Sequence, residues 1–303
     1  MNKKVMTGRK RGVDQSVRIL NDMDMKGLNV KILYAIIYFI VIMFCLVMTL
    51  PVIWTIASAA KDIDEFYRIP PTIIPQSFHP EKFLEVWREF NLARNYIYTA
   101  YVVGIAVAIS ITSNGLMAYS LSRLKPAGSK FIFNMLYITM MLPGLASLAA
   151  QMKIVVDFPI LHVNLMNTPW TMWIMAGCNV FTVIWFKGYF DGIPTSIIES
   201  AKLDGASTMR IFAQIVLPMA KPVILTQALI KINAGWADYF WPMIVLKEKN
   251  HQTVMVRALA LQGSLSVDKK LILMTLIMVP VMIFFAVFQK YIMGNATMGG
   301  VKE

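Results

Sequence analysis

Charge is scarce in this chain. Asp, Glu, Lys and Arg make up 15% of 303 residues against 57% apolar ones, and mean hydropathy is +0.59. That balance excludes an ordinary water-soluble globule and fits a polytopic membrane protein. Cysteine is scarcer still: Cys45 and Cys178 both lie inside apolar runs, far apart, which excludes a disulfide framework. They read as small buried hydrophobes. The three histidines, His79, His162 and His251, have no ligand-like spacing, so no metal site is expected. No glycine-rich G-x-x-x-x-G-K segment followed by Ser or Thr is present to cradle ATP phosphates. No Ser/His/Asp set or paired carboxylates converge in or beside the apolar runs, so the chain does not read as an enzyme.

What is present is apolar sequence in long runs. The formal net charge of +12 would suggest nucleic acid in a soluble protein, yet no basic stretch is interleaved with exposed aromatics. A nucleic-acid partner is not expected, and Lys and Arg read instead as topological signals in cytoplasmic loops. Residues 1–31 carry eight Lys or Arg against three Asp and should remain cytoplasmic. Residues 32–60 hold no charge and exceed the roughly 20 residues that a helix needs to cross the hydrocarbon core. This run reads as an uncleaved anchor, since it and its basic flank are both too long for a signal peptide. Further spans are expected at 96–121, 131–150, 169–186, 223–246 and 271–293, with a kink at Pro143-Gly144. The expected fold is therefore all-α, with six transmembrane helices and both termini cytoplasmic. Domains follow as a tail at 1–31, a permeating domain at 32–293 with an inner loop at 187–222, and a second tail at 294–303.

The charge rule supports this orientation only modestly. Inner segments hold seventeen basic residues and outer ones eleven, and residues 247–270 carry five Lys or Arg yet must lie outside.

Residues 199–218 form a polar helix, a Gly and an amphipathic helix set between long apolar runs. Pro194 suits a first helical turn, or Ser196 with Glu199 forms a capping box. Asp204-Gly205 should end that helix, with Gly205 in the left-handed position. Ser207 should cap a second one, whose Ile211, Phe212 and Ile215 share a face. On residue chemistry alone the pair is either a docking element or an interfacial connector lying on lipid.

Glu199-Ser200-Ala201, Leu203-Asp204-Gly205-Ala206, Phe212, Ile215, Leu217-Pro218 and Pro222 resemble the cytoplasmic EAA loop of binding-protein-dependent ABC importer permeases. Ser200 stands where that family usually has Ala. Trp54 to Lys61 with a following double Pro, Tyr119-Ser120-Leu121-Ser122-Arg123, Met140-Met141-Leu142-Pro143, Trp236-Ala237-Asp238-Tyr239-Phe240-Trp241-Pro242, and the tail from Gln289-Lys290-Tyr291 to Gly299-Gly300-Val301-Lys302 resemble its carbohydrate branch. Ala237 departs from it, since Asn is common there.

The resemblance implies a type I importer permease fold and an ATPase-coupling role for Glu199, Ser200, Ala201, Leu203, Asp204, Gly205, Ala206, Phe212 and Pro218. It also implies a multi-pass subunit of a prokaryotic cell membrane. Its partners would be a different permease subunit, two ATPase subunits and an extracytoplasmic sugar-binding protein. The substrate would be a di- or oligosaccharide. No cofactor belongs to this chain, because ATP and Mg would sit on the ATPase.

Lys231 and Asp238 lie seven residues apart in the fifth span, on one helix face. They are either translocation-pathway groups or, respectively, a snorkelling or partner-paired cation and a cap on a break near Gly235. Trp236, Tyr239 and Trp241 suit stacking on sugar rings or an interfacial aromatic belt. An ion-driven secondary transporter using Lys231 and Asp238 is the alternative function, opposed by the missing signs of an inverted repeat.

Overall fold

The computed structural model describes residues 28–70, 72, 74–159 and 161–296. Among these there is no strand, only an isolated antiparallel bridge between Phe158 and Val163. The expected basic tail up to residue 27, and the second tail from 297, lie outside the described residues. The chain divides into two units, residues 1–55 and 56–303. The described part of the first unit is helical throughout: α1 (Leu28–Ala59) is uncharged beyond Lys31 and accommodates Pro51 within it.

In the second unit, α2 (Ile63–Phe66) and α3 (Glu81–Glu89) follow. Helix α4 (Leu92–Tyr119) is the long central element and widens into a π-helical turn over Ser120–Leu124. Then come α5 (Ser129–Met141), α6 (Leu148–Val156), α7 (Trp170–Gly177), α8 (Val180–Asp191) and α9 (Thr195–Leu203). The chain continues through α10 (Thr208–Ile211), α11 (Leu217–Met219), α12 (Lys221–Ala237), α13 (Phe240–Val245), α14 (Val254–Leu261) and α15 (Val267–Ala296). Helix α4 packs against α7, α8 and α12, which makes it the axis of this unit.

Among the described residues, three uninterrupted stretches are long and apolar enough to cross a membrane: Val30–Ala59, Leu92–Leu124 and Val267–Gln289. The other expected spans are in pieces. In 131–150, α5 stops at Met141, Leu142 is extended (ψ 130°), and a 3₁₀ turn at Gly144–Ser147 leads into α6. Pro143 lacks an N–H and pushes its predecessor out of the helical region, so the expected kink is a full break. The 169–186 run breaks at Cys178, and 223–246 breaks at Asp238 and Tyr239.

Two expectations are corrected. Residues 247–270 are not a plain loop, because α14 buries Val254, Val256, Ala258 and Leu261. Its start is fixed to α4, with Val254 N–H donating to Thr99 Oγ1 (2.9 Å) and Asn95 Nδ2 to the Gln252 carbonyl (2.8 Å). Cys45 and Cys178 are exposed on this chain, not buried. Hydrocarbon rather than the protein interior can cover an apolar thiol in a membrane chain, as it can the bare Ile283, Phe285 and Val287 of α15. The histidines sit in surface pairs: His79 with Asp62 and Glu81, His162 with Asp157, and His251 with Glu248.

Candidate functional site

The stretch around Gly205 is a rigid corner built by local chemistry. Pro194 is the N-cap of α9, with extended ψ of 132°, so the helix starts at Thr195 and the Ser196–Glu199 capping box does not form. At the far end Gly205 adopts φ +78°. Gly205 N–H donates to the Lys202 carbonyl and Ala206 N–H to the Ala201 carbonyl, both 3.0 Å. This pair of bonds is a Schellman closure, and its left-handed residue strains any side chain larger than hydrogen. Ser207 then accepts from Arg210 N–H at 3.4 Å and starts the second helix as expected. That helix runs through a π-helical turn at Phe212–Val216 and α11, then bends by 76° into α12.

One face of the corner is sealed. Ile198, Ala201, Ile211, Phe212, Val216 and Ala220 join Tyr119, Phe186 and Phe190 in a single apolar cluster, with Tyr119 and Phe212 rings 5.0 Å apart. Ala206 and Ile215 pack at its edge. The other face is bare: Glu199, Ser200, Asp204, Gly205 and Pro218 are exposed, and Leu203 is 89% exposed. The predicted set therefore separates into residues that hold the corner, Ala201 and Phe212, and residues that present it.

Beneath the corner lies a polar staple that sequence reasoning missed. Arg123, in the π-helical turn after α4, donates to the carbonyl of Phe190 in the last turn of α8 and to that of Ile193 just beyond it. Ser122 donates to Asp191 Oδ1 at 2.5 Å, and Lys187 pairs with Asp191 Oδ2 at 2.7 Å. Arg123 enters the sequence reading as an inside charge and as part of the Tyr119–Arg123 resemblance, and its partners are nearly seventy residues away, so local pattern does not reveal them.

A cavity of about 500 Å³ lies between α4, α7, α12 and α13. Four of the five predicted pathway residues, Lys231, Asp238, Tyr239 and Trp241, line it with Asn179 and Thr253. Asp238 follows the last residue of α12, and its Oδ1 accepts from Phe240 N–H (3.0 Å), so it does cap a break. The break falls at Asp238 rather than at Gly235. Gly235 marks a close crossing instead, where a Cβ would meet Val103 at 3.1 Å. Among the described residues no ion pair joins Lys231 and Asp238. Trp236 faces elsewhere: its Nε1 donates to the Ile277 carbonyl at 3.2 Å and its ring meets Tyr96 edge-on. It ties α12 to α15 and α4.

The chain is thus a helical membrane protein with a capped, solvent-exposed corner between its spans and a cavity among them. Residues 113–294 match the model of the family described as "Binding-protein-dependent transport system inner membrane component". The maltodextrin transport system permease protein MalD of Streptococcus pneumoniae is 30% identical over 280 residues, covering 90% of this chain and 96% of that one. A chain of a bacterial ABC transporter involved in importing the acidic polysaccharide alginate superposes with a TM-score of 0.76 at 21% identity, over 88% of this chain and 98% of that one. A second structure of a bacterial alginate transporter, in complex with a pentasaccharide-bound periplasmic protein, gives 0.60 at 16% identity, over 88% and 96%. The chain belongs to the binding-protein-dependent transport inner membrane components, the permease subunits of ABC importers, and is a multi-pass membrane protein and not an enzyme.

Proposed function

We propose that this permease subunit serves an ATP-driven importer of a di- or oligosaccharide handed over by an extracytoplasmic binding protein. Residues 199–206 are the seat on which a separate ATPase subunit pushes. The observation that carries this reading is the corner at Gly205, which is locked by its own backbone bonds, embedded on one face and bare on the other. An interfacial connector needs no such lock, whereas a lever must keep its shape under load.

The topology that suits this role has six crossings: α1, α4, α5–α6, α7–α8, α12–α13 and α15. Both termini and the 187–222 loop then lie in the cytoplasm of a prokaryote, where ATP is available and where the basic tail favours orientation. A different permease subunit would complete the pathway, and two ATPase subunits would bind ATP and Mg outside this chain. Movement of the corner as a rigid body would alternate access to the cavity. The sugar reading is supported by the maltodextrin permease and alginate transporter likenesses, and by Tyr239 and Trp241 on the cavity wall.

Purification in mild detergent followed by reconstitution tests the reading against an ion-driven transporter. An ATPase subunit should copurify, and sugar uptake should require ATP. Uptake by the chain without an ATPase would overturn it.

A further inference from the structure

Asn114 is an amide with no exposed surface, in the C-terminal part of α4, and every polar atom of its side chain is committed. Its Nδ2 donates to the Ala176 carbonyl at 2.9 Å and to the Ser110 carbonyl at 2.8 Å. Its Oδ1 accepts from Asn179 N–H at 2.8 Å. The adjacent Ser113 donates to the Gly177 carbonyl at 2.6 Å. The Ala176 and Gly177 carbonyls and the Asn179 N–H are the backbone groups left open by the break at Cys178, whose backbone (φ −121°, ψ 62°) is not helical; the Ser110 carbonyl belongs to α4 itself.

Hydrocarbon offers no substitute partners for such groups, so a broken crossing persists only where neighbouring side chains satisfy it. Two α4 side chains do that here. Beyond the break, Asn179 caps α8 by accepting from Thr182 N–H (3.0 Å) and Oγ1 (2.8 Å). The break also stands between two working regions. Ala176 and Asn179 line the cavity, while Val183, Phe186 and Phe190 of α8 enter the apolar cluster that carries the Gly205 corner.

We propose that Asn114 is a positioning residue for transport: it holds the break at residues 176–179 so that displacement of the corner, carried by α8, reaches the cavity wall at Asn179. This rests on the coupling role proposed above for residues 199–206.

The test uses the complete importer in proteoliposomes, comparing wild type, Asn114→Leu and Ser113→Ala. Sugar imported per ATP hydrolysed is measured together with hydrogen exchange of the peptide covering residues 174–182. In Asn114→Leu, exchange should rise about tenfold, since one net hydrogen bond to each freed backbone group is lost, and import per ATP should fall by about the same factor. In Ser113→Ala, which frees one carbonyl only, import per ATP should fall about threefold, in keeping with the loss of a single hydrogen bond. A purely structural residue would lower the yield of complex and leave import per ATP unchanged. An assembled Asn114→Leu importer with wild-type exchange and wild-type import per ATP overturns the proposal. If that variant does not assemble, an unchanged ratio in Ser113→Ala does so. A wild-type complex without ATP-driven uptake overturns the coupling reading itself, whereas normal wild-type uptake with an unaffected Asn114→Leu ratio overturns this proposal alone.

Discussion

Around Tyr119, helix α4 enters one continuous apolar cluster that joins α8, the Gly205 corner and the start of α12, with the Arg123 staple beside it. Around Leu92 to Val102 the same helix meets smaller clusters and is pinned mainly by hydrogen bonds to neighbouring backbone. Asn95 bonds Gln252, Tyr96 bonds Leu276 at 2.6 Å, Thr99 bonds Val254, and Trp173 bonds the Val102 carbonyl at 3.0 Å. Close packing resists deformation in every direction, so the first region moves as a block. Directional bonds instead fix register, which suits a wall that must keep side chains aimed at a cavity. One helix thus carries a lever at one end and a positioned surface at the other.

The comparison breaks most directly at the packed end. Phe190→Ala should cost about 3–5 kcal/mol, the range for removing a buried aromatic side chain. It should appear as a large loss of thermal stability in the purified complex. Arg123→Met should cost about 1.5–3 kcal/mol, because charged hydrogen bonds to the Phe190 and Ile193 carbonyls are lost. Thermal inactivation of the complex should place it between Phe190→Ala and the variants at the other end. Thr99→Val leaves one buried N–H without its acceptor and should cost about 1–2 kcal/mol, read as faster hydrogen exchange at residues 252–256. If Thr99→Val destabilises as much as Phe190→Ala, the contrast between block and register is wrong.

The smallest effect lies outside the spans, where His79 joins Asp62 (3.1 Å) and Glu81 (2.7 Å). The hydrogen bond to Glu81 is the main cause of its raised pKa; desolvation opposes it and the Asp62 charge reinforces it. A raised folded pKa means that the stabilisation is fully present below the usual imidazole value of about 6.5 and is lost as pH rises through the folded value. Asp62 runs the other way. The Lys82 hydrogen bond leads in lowering its pKa, so its contribution is present above the usual value of about 3.9 and fades only as pH falls through the lowered one. Thermal melts of His79→Gln should therefore differ from wild type at pH 6 and converge towards it at higher pH, with the proline-rich segment around residues 62–82 as the part affected.

The unbroken helices were legible because α1, α4 and α15 are charge-free over enough residues to cross a membrane, a property of composition. The corner was legible because Gly205 and Ser207 act on backbone groups within five residues of themselves. The breaks were not legible to the same degree. That at Cys178 depends on Asn114 and Ser113, more than sixty residues away, and its local signals, Gly177 and the N-cap Asn179, sit inside a run whose apolar composition reads as one span. Helix α14 was hidden because the basic residues around it made 247–270 look like solvent-facing loop, while Val254, Val256 and Leu261 turn inward. Among the proposed pathway residues, Tyr239 and Trp241 reach the cavity, whereas Trp236, three residues before Tyr239, points to α15. A break at Asp238 resets the helical phase, so spacing along the sequence cannot predict which side each aromatic takes.

The direct test of the lever is Gly205→Arg in the reconstituted importer, with Gly205→Ala as its companion. No atom lies within 4 Å of where a Cβ would stand, so Gly205→Ala meets open space, and the residue is exposed, which leaves the longer Arg side chain a path to solvent. The left-handed backbone alone costs about 1–2 kcal/mol for a non-glycine residue, too little to dismantle the spans. Gly205→Arg should assemble in wild-type amount, with ATP-driven uptake lost, while Gly205→Ala retains a substantial part of it. Wild-type uptake by Gly205→Arg would contradict the coupling role of the corner.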